Sequence, residues 1–136
     1  MSEPEVLWHF TCAHDRRDIG TSNCLLLPNA HPWLGAKLVW LTDQADPDRA
    51  LTGLTMKLQA CDRMAYRYMV TDLTYCRRWA GSLERARLDP ARLADFERLE
   101  DGRLASFEHW WISDRPVRAR LDRSWAPPRL DASSVF

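Results

Sequence analysis

The 136-residue chain lacks most of the short motifs that announce a chemistry. No predicted strand is followed by GxGxxG, and neither GxxxxGK[ST], GxSxG nor HExxH occurs. The commonest dinucleotide, phosphate, hydrolase and zinc-protease signatures are therefore excluded. The four cysteines (Cys12, Cys24, Cys61, Cys76) form no CxxC pair, and they read as thiols of a reducing compartment. Cys12, His14 and Cys24 could ligate zinc by chemistry, but their spacing fits no zinc module, and no metal site is expected. No apolar run approaches the roughly 20 residues of a membrane span. The first residues, Met-Ser-Glu-Pro-Glu, are acidic where a secretion signal would be basic, so a cytoplasmic protein without membrane partners is expected. Net charge is zero, and nothing global draws the chain toward nucleic acid.

What is present is a core. Hydrophobic residues make up 46%, including seven Trp, three Tyr and four Phe, enough for one domain to fold without staples. Residues 1–126 are expected to be that single domain and 127–136 an extended tail, given Pro127-Pro128 and Ser133-Ser134. Charge is uneven: residues 1–62 carry five basic and eight acidic side chains, residues 63–129 fourteen arginines and ten acids. Arginines paired with acids make a solvated face; unpaired, their guanidinium forks suit phosphate. Both readings stand at this point.

Strands are expected at 6–11, 37–41, 64–71, 107–113 and 117–121, with weaker alternation at 54–59. Helices are expected at 13–19, from Asp46-Pro47 to Gly53, and from Asp89-Pro90 to about Glu100, the last with Leu93, Phe96 and Leu99 on one face. Residues 21–35, with Asn, His-Pro and Gly, read as a long loop. Clustered strands with few helices argue an α+β domain of mostly antiparallel strands.

The stretch Val6-Leu7-Trp8-His9-Phe10-Thr11 and the later Leu38-Val39-Trp40-Leu41-Thr42-Asp43 stand out. With the Ile19-Gly20 helix end and the Leu25-Leu26-Leu27 loop between them, they resemble the first half of the ADP-ribosyltransferase superfamily. The nearest shapes are its small bacterial branches, the DNA-modifying DarT toxins and the RNA 2′-phosphotransferases. The resemblance covers about the first 45 residues by motif and the remainder by strand order. It implies an ADP-ribosyltransferase-like fold, NAD as substrate, and a macromolecular acceptor, DNA, RNA or protein. It also implies that His9 bonds the ribose beside the nicotinamide, with Phe10 backbone gripping the carboxamide and Thr11 supporting the site. Trp40 falls where the family stacks an aromatic ring on nicotinamide, and Glu108 is the candidate for its catalytic glutamate. Departures are plain: the Gln/Ser-x-Glu signature is missing although Ser106 lies two residues before Glu108, and His109 and Trp110 stand where small apolar residues are common.

Breaking the nicotinamide–ribose bond builds an oxocarbenium-like sugar, which a nearby carboxylate stabilises in the transition state. Each candidate also has a plainer reading. His9 is a satisfied strand histidine, Trp40 a core residue, Glu108 a surface glutamate, and Asp43 a turn or cap residue. Trp110 and Trp111 point to opposite faces of one strand, so at least one reaches the core. A silent interaction domain gripping a protein or nucleic acid through Trp and Arg is the rival function. A base-processing enzyme that dispenses with NAD is a third.

Overall fold

The apolar run that opens the chain forms strand β1 (Leu7–Thr11), and it lies inside a sheet with a neighbour on each side. The computed structural model describes residues 3–11, 24–25, 35–47, 56–57, 61–98 and 107–128. After β1 come β2 (Cys24–Leu25), β3 (Val39–Thr42), β4 (Met56–Lys57), β5 (Cys61–Asp62), β6 (Tyr66–Val70) and β7 (Cys76–Arg78). Helices α1 (Leu83–Ala86) and α2 (Pro90–Phe96) follow, then a 3₁₀ turn (Phe107–His109), β8 (Trp110–Ser113), β9 (Val117–Arg118) and β10 (Arg120–Leu121). Six strands make the main sheet in the order β10-β6-β1-β3-β8-β7, and every pairing in it is antiparallel. The described residues thus form an α+β domain, a six-stranded antiparallel sheet with two short helices, as the strand clustering predicts.

Pleating sorts the side chains, because successive residues of a strand face opposite ways. On the first face Leu7, Val39, Leu41, Tyr68, Val70 and Trp111 pack together, covered by Val117 and Ala119. On the second, Leu38, Trp110 and Ile112 pack with Trp79 and Leu88, joined by Trp40, Leu93, Phe96 and Phe107 from the sheet, α2 and the 3₁₀ turn. Both faces are therefore buried at β8, and all four of its residues are out of solvent. Trp110 and Trp111 both reach the core, one on each face.

Helix α2 starts where expected: Asp89 accepts a hydrogen bond from the Arg92 N–H at 2.9 Å, and Pro90 takes the first helical position. It ends at Phe96, short of Glu100, with Glu97 as its cap. The 107–113 run is only half strand, since its first three residues wind into the 3₁₀ turn. The 117–121 run is two strands: β9 pairs with β2 and β10 with β6, with buried Ala119 between them. The helix expected at 13–19, all but the first two residues of that expected at 46–53, most of the 21–35 loop, most of 54–59 and most of the 127–136 tail lie outside the described residues. Among the described residues no helix is long and apolar enough to cross a membrane.

Candidate functional site

His9 sits in β1 opposite Tyr68 of β6, on the first face. Its Nδ1 lies 2.7 Å from the Trp40 carbonyl oxygen on β3. A carbonyl only accepts, so Nδ1 carries a proton and donates to Trp40. The half-buried imidazole is thus fixed in orientation by its neighbouring strand.

The Trp40 ring goes the other way. It packs against Trp79 at 5.0 Å between ring centroids, Phe96 at 5.8 Å, Phe107 at 6.0 Å and Trp110 at 6.2 Å, inside the second-face cluster. His9 and Trp40 therefore meet through the Trp40 main chain, with their rings on opposite faces. Thr11 is buried opposite Tyr66. Phe10, also buried, meets the Trp125 ring edge-on at 5.3 Å.

Glu108 lies in the 3₁₀ turn just before β8, exposed, with its carboxylate 3.8 Å from His109 Nε2. The Asp43 N–H donates to the His109 carbonyl at 3.1 Å, tying this turn to the end of β3. β1, β3 and β8 are consecutive neighbours, so Glu108 stands two strand spacings, about 10 Å, across the sheet from β1. It is also displaced along the strands: Trp8 faces Thr42, which places His9 level with Leu41, whereas Glu108 lies beyond Trp110, the partner of Thr42.

Sequence reasoning missed a second polar group at that strand end. Asp43 Oδ1 accepts from His109 Nδ1 at 2.8 Å, and its Oδ2 accepts from Trp111 Nε1 at 3.2 Å. Arg78 Nη1 approaches the same carboxylate at 3.7 Å, with its guanidinium 4.6 Å over the Trp111 ring. Asp43 is more than a turn residue, since three side chains from three other elements converge on it. The signal available was a polar residue closing one strand (Thr42-Asp43) and another opening a later one (Glu108-His109). Their pairing became visible only once β3 and β8 were neighbours.

The chain matches no known protein family, no curated protein and no solved structure.

Among the described residues, several further charges engage one another. Arg67 is held between the rings of Trp8 (4.3 Å) and Trp125 (4.5 Å). It donates to Asp122 and to the Ala45 carbonyl. Arg77, Arg85, Arg92 and Arg98 each pair with a carboxylate. Hydrogen bonds from Ser124 and from Arg67 hold the Asp122 carboxyl down at about 2. Burial pushes the Cys76 thiol up to about 11, helped by the Asp72 charge and opposed by Arg77. Among the described residues no group of three or more His, Cys, Asp and Glu is placed to hold a metal ion.

Proposed function

We propose that the chain binds NAD and transfers its ADP-ribose to a macromolecular acceptor, a nucleic acid or a protein. The observation that carries this reading is the adjacency of the three strands bearing the candidate residues: β1 with His9, β3 with Trp40, and β8, which Glu108 precedes. In this reading His9 bonds the ribose beside the nicotinamide, and Thr11 and the Phe10 backbone shape the end of β1. Trp40 serves through its carbonyl, holding the imidazole, because its ring is occupied by the second-face cluster. Glu108 supplies the negative charge that stabilises an oxocarbenium-like ribose as nicotinamide leaves.

The test is transfer of label from NAD to DNA, RNA and protein offered separately. Label is expected on one of the three acceptors with the wild-type chain and on none with Glu108→Gln. A wild-type chain that labels nothing contradicts the reading.

A second reading, a catalytically silent interaction domain, draws on a different surface. Tyr75 and Leu83 are exposed, and the Arg115 guanidinium stacks 4.4 Å over the Tyr75 ring. Exposed aromatic and arginine side chains of this kind anchor partners. Retention of a partner by Glu108→Gln but not by Tyr75→Ala supports it.

A further inference from the structure

A histidine next to Glu108 is this chain's own feature, and its surroundings give it a direction. The Asp43 carboxylate accepts from His109 Nδ1 at 2.8 Å, so that nitrogen carries a proton and Nε2 is the nitrogen left to exchange one with an acceptor. Nε2 is turned toward Glu108, whose Oε1 lies 3.8 Å away. The imidazole is partly exposed while Asp43 is mostly enclosed, held by the Trp111 indole and approached by Arg78. Among the described residues, the charged groups facing this imidazole are Asp43 from the end of β3, Arg78 from β7 through Asp43, and Glu108 from the same turn. A carboxylate fixing one ring nitrogen of a partly exposed imidazole is the arrangement of a histidine that moves a proton.

We propose that His109, oriented by Asp43, is the general base that takes the proton from the acceptor's nucleophilic group, and that the acceptor is a neutral N–H or O–H nucleophile. This rests on the NAD-dependent transfer proposed above. An already ionised carboxylate acceptor would have no proton to give, so a base at this position would be idle. In the step, the bond between ribose C1′ and the nicotinamide nitrogen breaks and its electron pair leaves with nicotinamide. The acceptor nitrogen or oxygen bonds to C1′, and its proton passes to His109 Nε2 and then to solvent. Glu108, whose carboxylate lies 3.8 Å from His109 Nε2, holds the cationic sugar. His109 is the catalytic residue of this step and Asp43 its positioning residue.

The experiment compares nucleophiles with and without a proton to lose. NAD cleavage is followed in aqueous methanol, which yields ADP-ribose and its methyl glycoside, and separately with azide, an anion that needs no base. With His109→Gln, hydrolysis and methanolysis are expected to fall about 100-fold or more, while azidolysis stays at the wild-type rate. Asp43→Asn is expected to show the same selectivity more weakly and to displace one limb of the pH–rate profile, a change that loss of packing alone does not produce. Glu108→Gln loses all three reactions. Equal slowing of azide and methanol by His109→Gln in a variant of unchanged melting temperature overturns the assignment of the base, as does no slowing at all. A wild-type chain that neither cleaves NAD nor gains stability from it overturns the transfer reading and this inference together. Wild-type cleavage with an indifferent His109→Gln overturns this inference alone.

Discussion

Two buried indoles on the second face differ in whether the N–H has a partner. Trp79 Nε1 donates to Glu97 Oε2 at 2.7 Å, and Arg85 reaches the other oxygen at 3.4 Å. Trp110 Nε1 is buried with no hydrogen-bond partner among the described residues. Removing one half of a buried hydrogen bond costs the desolvation of the half that stays, about 1–3 kcal/mol. Trp79→Phe takes the indole donor from Glu97 Oε2, whereas Trp110→Phe removes a donor unpaired among the described residues. Both lose packing, so Trp79→Phe is expected to be the more destabilising by about 1–3 kcal/mol in urea denaturation. Equal losses would mean that Glu97 finds another donor. The same scale governs the titrating groups. Asp122 sits at about 2 in the folded chain against an ordinary 3.8, so its bonds to Ser124 and Arg67 stabilise the fold fully above the ordinary value. That stability is lost as pH falls through about 2. The stability gap between the wild-type chain and Asp122→Asn is therefore expected to shrink between about pH 4 and pH 2 in acid titrations. A gap independent of pH would contradict the assignment. Cys76, raised to about 11, is expected to resist alkylation at neutral pH and to react only as pH approaches that value.

Among the elements, those with strong local signals are where the chain's chemistry puts them. β1 needs only its apolar, β-prone run, and α2 its Asp89-Pro90 start, whose cap is worth about 1 kcal/mol. Asp89→Ala is expected to lower stability by about that amount without changing the sheet, measured by denaturation and circular dichroism. Elements built by their neighbours were not legible. β7 is Cys76-Arg77-Arg78, with no apolar alternation, and it is a strand because the β8 edge offers it hydrogen bonds. α1 is one turn capped by Ser82, too short to show a periodicity. The break in the 117–121 run follows from two pairing partners, β2 and β6, that are distant in sequence. The same limit applies to the site. His9 and Trp40 drew attention as residue types, but the direction of the Trp40 ring depends on α2 and the 3₁₀ turn supplying aromatic partners. Asp43 and His109 are 66 positions apart, and only the β3–β8 register joins them.

At the scale of the whole molecule, a sheet buried on both faces at β8 leaves its strand ends as the places where polar groups gather. One end of β3 and β8 carries Asp43, Glu108, His109 and Arg78, while His9 lies further along the adjacent β1 on the first face. The central claim is that one NAD molecule joins these groups. The measurement that tests it most directly is thermal unfolding of the wild-type chain and of His9→Ala and Glu108→Gln, each with and without NAD. A ligand held only by the native state at a hundred times its dissociation constant adds about 2.7 kcal/mol of stability. The wild-type chain is expected to melt at a distinctly higher temperature with NAD, and His9→Ala to lose most of that rise. Glu108→Gln is expected to keep it, since its charge acts mainly on the transition state. No rise in the wild-type chain, or an equal rise in His9→Ala, would contradict the account.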